Sequence, residues 1–237
     1  MKKVRFYSNK DLDKFMALQF LDEKAAGVDF GKRIIELHPN LEITKEMDER
    51  QKKIVINKYF DDYYKKNKKS LQSRLLLFKE AWRKKEKDFF KVSESLFNNF
   101  SFQEGMYIAY LSIIDCNPRF LESKTFQVFY KKEINDVIYT IAHELLHFIF
   151  FDFLNQKLKK ESKVLSEEKI WDLSEIFNVI ILKSDLFKGI IDKKAAKPYP
   201  DHKKYIDSFE KAYKKSTDTK DFILRGIEIL KKPGEVS

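Results

Sequence analysis

Residues 140–149 read TIAHELLHFI, two histidines and a glutamate inside an otherwise apolar run. Outward from them, Val137 to Leu154 is the most apolar window of the chain. The apolar spacing predicts a helix from about Ile134 to Lys160. On a helix, positions four apart lie one turn above the other, so His143 and His147 share a face. Two imidazole nitrogens at that spacing can each reach one zinc ion at about 2.0–2.1 Å. Glu144 follows the first histidine and points to the side, within reach of a zinc-bound water. Zinc lowers that water's pKa toward about 7, and the carboxylate can then take its proton. The apolar surroundings keep such a site dry. The plainer alternative is a core helix whose histidines are hydrogen-bonded and whose glutamate has a basic partner. The window is also long enough to suggest a membrane span. Glu144, Asp152 and the two histidines make that costly, so no membrane is expected as a partner.

The segments on either side set the fold class. GMYIAYLSII (105–114) is rich in β-branched and aromatic residues. PRFLESKTFQVFY (118–130) reads as two strands joined at Ser123-Lys124, and together these predict a small sheet. Downstream, SEEKIWDLSEIFNVIIL (166–182) predicts a helix with Ser166 as N-cap and acids in its first turn. A helix capped by Asp201 is expected to about Lys215, and a last one over 218–232. Upstream, residues 11–27 read as a helix closed by Gly27, and HPN (38–40) as a surface turn. Two charged helical segments are expected between Thr44 and Asn99, the second unbroken from Ser70 to Phe97 through Leu71, Leu75, Phe78, Trp82, Phe89 and Leu96.

Composition agrees with this. In 237 residues there are 22 Phe but only 6 Gly and 5 Pro, which disfavours an all-β protein with its many turns. One cysteine, Cys116, excludes an internal disulfide or a cysteine-based metal cluster. The N-terminus, MKKVRFYSNK, lacks the apolar run of a signal peptide, so a cytoplasmic protein is expected. Net charge is +10, of which +8 falls in residues 1–99. A surface for nucleic acid is one reading of that excess. Of 47 basic residues, however, only 7 are Arg, the residue that forks onto phosphate, so a solvated helical face is the simpler one.

TIAHELLHFI resembles the active-site helix of the zincin metallopeptidases. Their signature asks for Val or Thr three residues before the first histidine, here Thr140. It also asks for uncharged residues around the pair, here Ile141, Leu145, Leu146 and Phe148, and a hydrophobic residue two after the second, here Ile149. The resemblance implies an edge strand, antiparallel to bound peptide, ahead of the helix, and TFQVFY (125–130) is placed for it. It also implies a third metal ligand. Phe153 stands where a metzincin would have histidine, which leaves the gluzincin pattern of a glutamate from a following helix. Glu167, Glu168 and Glu175 are the candidates. The first two lie in a first helical turn, where the helix dipole already stabilises an acid. Glu175 sits among Trp171, Leu173, Ile176, Phe177 and Val179, where a carboxylate is costly unless paired. Asp172 and Asn178 flank it and could orient a ligand histidine. Gluzincins also use a later Tyr or His to stabilise the oxyanion, which points to Tyr199, His202 or Tyr205.

The expectation is therefore an α+β, mostly helical chain. A helical N-terminal region (1–95) precedes a zincin-like metallopeptidase domain (96–237), with a soft boundary that leaves room for one unit. The expected activity is zinc-dependent hydrolysis of peptide or protein substrates. The metal site is His143, His147 and Glu175, Glu144 is the general base, and His202 and Tyr199 assist. The alternative is a catalytically silent scaffold that binds partners through its basic N-terminal helices.

Overall fold

Strand-forming MYIAYLS and TFQVF lie side by side in a small mixed sheet, while most of the chain is helical, giving an α+β fold. The computed structural model describes residues 2–231. Among them the order is β1 (Lys3–Ser8), α1 (Lys10–Phe20), β2 (Lys24–Ala25), β3 (Val28–Asp29), α2 (Phe30–Leu37), α3 (Glu49–Lys66), α4 (Lys68–Arg83) and α5 (Glu86–Leu96). Then come β4 (Met106–Ser112), β5 (Arg119–Phe120), β6 (Thr125–Phe129), α6 (Ile134–Lys157), α7 (Lys159–Ser162), α8 (Glu167–Lys183), α9 (Lys203–Lys215) and α10 (Thr219–Lys231). Position 232, the expected end of the last helix, lies outside the described residues.

The chain forms two compact units that interleave in sequence. One gathers Lys2 and Lys3, Trp82–Gly105 and residues 138–231; the other holds Val4–Ala81 and Met106–Val137. The soft boundary expected near residue 95 lies within Trp82–Gly105.

The second unit is built on a sheet of order β1-β4-β6-β5. β4 and β6 run parallel with Ile108 opposite Thr125, and β5 folds back antiparallel on β6 with Arg119 opposite Phe126. The tight connection expected at Ser123-Lys124 is present, with Lys124 at φ 55°. The expectation that TFQVFY forms a sheet edge is corrected. β6 lies between two strands and all five of its residues are buried, so its backbone groups are already paired. Nor was β1 foreseen in the N-terminal region. The helix expected through Gly27 ends at Phe20, because Ala26 (φ 48°) and Gly27 (φ 80°) make the left-handed two-residue turn that joins β2 to β3. The long second helical segment also breaks, between α4 and α5, where the Lys85 N–H turns back to the Trp82 carbonyl at 2.8 Å.

Two buried polar residues tie this unit together. The Asp13 carboxylate, on α1, accepts from Ser112 Oγ (2.6 Å), Gln127 Nε2 (2.6 Å), Tyr64 Oη (2.6 Å) and the Ile113 N–H (2.8 Å). One side chain thereby joins α1, α3, β4 and β6. His38 is buried rather than on the surface as expected. Its Nε2 donates to the Ile113 carbonyl at 2.9 Å, which leaves Nδ1 to accept from Tyr59 Oη at 3.1 Å, and the rings of Tyr59, Phe60 and Tyr63 surround it. A turn sequence hides this because its partners come from Ile113, just after β4, and from α3. Cys116 is buried and unbridged, in line with a structural role.

Asp13 and His38 oppose each other in pH dependence. Burial pushes the Asp13 carboxyl up to about 6 from 3.8, outweighing its four donors. Its folded state therefore binds the proton more readily than the unfolded state, so its contribution is full below about 3.8 and is lost as pH rises through about 6. Burial, and more weakly Lys131, lowers His38, so its contribution is present above 6.5 and lost on acidification. Comparing wild type with Asp13→Asn isolates the first term. Between pH 7 and pH 4 the wild type should gain about 3 kcal/mol relative to the variant, read from urea unfolding midpoints. A gap that stays constant or shrinks would show that the carboxylate is not strained by burial.

In the first unit α6 and α8 form the centre. By length and composition α6 is able to span a bilayer, yet 83% of its most apolar stretch is buried inside the fold. On α8, every residue from Leu173 to Leu182 is buried. Phe150 of α6 meets Phe177 of α8 at 5.0 Å between ring centres, and Phe97 and Phe222 complete that cluster. α9 and α10 cover α8. They approach closely at Gly226, where an added Cβ would lie 2.6 Å from Leu173 Cδ1 and 2.9 Å from Phe209 Cε1. Gly226→Ala should destabilise the protein by about 1–2 kcal/mol in chemical denaturation. Overpacking costs about 1–3 kcal/mol, more than the roughly 1 kcal/mol of helix propensity regained. A more stable variant would mean that Leu173 and Phe209 give way freely.

Candidate metal centre

Local sequence places each half of the centre. α6 is a continuous helix of 24 residues, so His143 and His147 stand one turn apart with rings 4.6 Å between centres. Ser166 caps α8 by accepting from the Lys169 N–H, and the helix then carries Glu175 in its third turn. Packing brings the halves together. His143 Nε2 lies 2.9 Å from Glu175 Oε2, His147 Nε2 lies 3.3 Å from Glu175 Oε1, and the two Nε2 atoms are 3.0 Å apart. Among the described residues, these three form the His, Cys, Asp or Glu cluster able to hold a metal ion.

The donor set fits a cation. Ligand atoms around a tetrahedral ion at about 2.0–2.1 Å stand about 3.3–3.4 Å from one another, near the separations seen here. Two protonated Nε2 atoms 3.0 Å apart would repel, whereas a cation takes a lone pair from each. His147 is fully enclosed and Glu175 nearly so, while His143 keeps 12% of its side chain exposed, so access to the cluster lies on the His143 side. Burial alone would raise the Glu175 carboxyl. The facing imidazoles, His147 first and then His143, outweigh burial and hold it well below the usual carboxylate range.

The neighbours only partly match expectation. Glu144 is buried at 5% exposure beside His143. Glu167 and Glu168 are exposed at the start of α8 and take no part. Asn178 Nδ2 donates to the His143 backbone carbonyl at 3.0 Å, and so grips α6 through the main chain rather than through an imidazole ring. Asp172 faces away to His202, whose Nε2 lies 2.7 Å from Asp172 Oδ1. His202 is buried and its ring packs on Trp171 and Tyr199. Asp201 does not cap α9, which follows a short 3-10 turn, Pro200–His202, without a side-chain cap. Tyr205 is half-buried with Lys204 Nζ 5.0 Å from its ring centre.

Sequence reasoning missed Tyr139. It lies four residues before His143 on the same face, and its Oη is 3.4 Å from His143 Nδ1. Phe151, four after His147, stacks on the other imidazole at 6.2 Å. The i, i+4 series Tyr139, His143, His147, Phe151 was the available signal. Burial first, then the charges of Glu175 and Glu144 and the nearby Tyr199, push the Tyr139 phenol upward, so it stays protonated. Comparison with protein families, curated proteins and solved structures returned no match for the chain.

Proposed function

We propose that this chain is a zinc-dependent peptidase of the gluzincin kind. The observation that supports it is the convergence of His143 Nε2, His147 Nε2 and Glu175 Oε1/Oε2 at 2.9–3.3 Å in a nearly enclosed corner, reached from two helices. His143, His147 and Glu175 would hold the ion. When bound, zinc supplies a Lewis acid and lowers the pKa of a coordinated water to about 7. Glu144, next to His143 and buried, takes the proton of the attacking water and passes it to the leaving amide nitrogen. The near-complete enclosure of His147 and Glu175 keeps bulk water out and strengthens each of these interactions. His202, paired to Asp172 and flanked by Tyr199, supports α8 at the turn that precedes Glu175.

The deciding experiment is a peptide-library digest by the zinc-loaded protein, read by mass spectrometry, with and without a chelator. Cleavage that disappears with chelator and returns with zinc supports this function. A protein that binds one zinc and cleaves nothing across a broad library favours the silent scaffold.

A second reading rests on Lys65, Lys66, Lys68 and Lys69, all exposed where α3 passes to α4. Binding of a polyanion there would weaken steeply with salt. An affinity for nucleic acid that is absent, or insensitive to salt, removes that reading.

A further inference from the structure

We infer that Tyr139 is a positioning residue for the metal centre: its phenol oxygen accepts a hydrogen bond from His143 Nδ1–H and so commits His143 Nε2 to the ligand corner. This rests on the metal reading given above. Three observations lead to it. Tyr139 Oη and His143 Nδ1 are 3.4 Å apart, and the two rings lie 5.6 Å apart and tilted by 41°. The other nitrogen of the same ring, Nε2, is the one facing Glu175 Oε2 and His147 Nε2. And Asn178 binds the backbone of His143 rather than its ring, while Asp172 is engaged by His202, so neither polar neighbour on α8 does this work.

The direction of the Tyr139 contact decides the chemistry. A neutral imidazole has one N–H and one lone pair. If Tyr139 donated to Nδ1, the proton of His143 would sit on Nε2, and Nε2 would have no lone pair for a metal. If Tyr139 accepts from Nδ1–H, the Nε2 lone pair faces the corner. Such partners fix the tautomer and ring orientation of metal-bound histidines and raise their basicity. The His147 ring stacks on Phe151.

The test uses the full chain, as wild type, Tyr139→Phe and Phe151→Leu. Zinc affinity is measured by chelator competition. The cobalt(II) form of each is then examined by NMR for the shifted, exchangeable Nδ1–H protons of its histidine ligands. Tyr139→Phe keeps the ring and should melt close to wild type. It should bind zinc about 10–100-fold more weakly, and one Nδ1–H signal should be lost or exchange faster. Phe151→Leu should leave that signal in place, which separates the hydroxyl from ring packing. Equal zinc affinity and an unchanged signal in Tyr139→Phe would overturn the role of Tyr139 while leaving the metal site standing. A wild type that takes up neither zinc nor cobalt would overturn both.

Discussion

Glu175→Ala is expected to abolish stoichiometric zinc binding. Wild type should carry close to one zinc per chain by elemental mass spectrometry, and the variant close to none after the same dialysis. The magnitude follows from the ligand count. Structural zinc sites with four ligands bind with about 10–16 kcal/mol, or about 2.5–4 kcal/mol per ligand, so losing one of three ligands weakens binding by about 10²–10³-fold. Thermal stability gives an independent reading. Zinc at a thousand times its dissociation constant should stabilise wild type by about 4 kcal/mol, and that increment should vanish in the variant. The metal-free variant should still fold, because it removes a buried charge whose partners are the two imidazoles. One zinc retained at full affinity would mean that Glu175 is a structural acid paired to histidines. Glu167 and Glu168 offer no substitute, since both are exposed at the far end of α8.

Glu144→Gln is expected to separate binding from turnover. The amide keeps the size of the side chain and its place beside His143 but accepts no proton at neutral pH. Peptide hydrolysis should fall by about 10²–10⁴-fold, the usual contribution of a positioned general base. Zinc content and melting temperature should stay near wild type, because Glu144 is not one of the three converging ligands. Hydrolysis that survives in Glu144→Gln but is lost with chelator would move the base to another group. Loss of zinc together with activity would place Glu144 among the ligands instead.

Residues whose role depends on short sequence separation were legible in advance. The helical period of TIAHELLHFI put His143 and His147 on one face, and α6 carries them so. Ser166 was readable as an N-cap because its partner, Lys169, is three residues on. The hairpin of β5 and β6 was readable because its turn lies between the strands it joins. Glu175 was accessible through a different argument, the cost of a carboxylate in an apolar helix, although nothing local excluded Glu167 or Glu168.

Several misreadings involve partners distant in sequence. His38 looked like a turn residue because Ile113, which accepts its proton, is 75 positions away. Asp13 was not singled out in the sequence, because three of its four donors come from β4, the residue after it and β6. TFQVFY looked like an edge because pairing on both sides is a property of the whole sheet. Asp172 and Asn178 were correctly placed beside Glu175, but which group each would reach depended on where α9 and α6 came to lie.

By itself, then, the sequence determined most of the helices, the strands β4 to β6 and a pair of histidines one turn apart, because these follow from backbone geometry within a few residues. Tertiary structure alone decided that Glu175 meets His143 and His147, that Tyr139 stands beside the His143 ring, and that Asp13 and His38 are buried. Those outcomes depend on how α6 packs on α8 and how α1 and α3 pack on the sheet. Such packing sums many weak contacts between distant residues, and no local pattern encodes that sum.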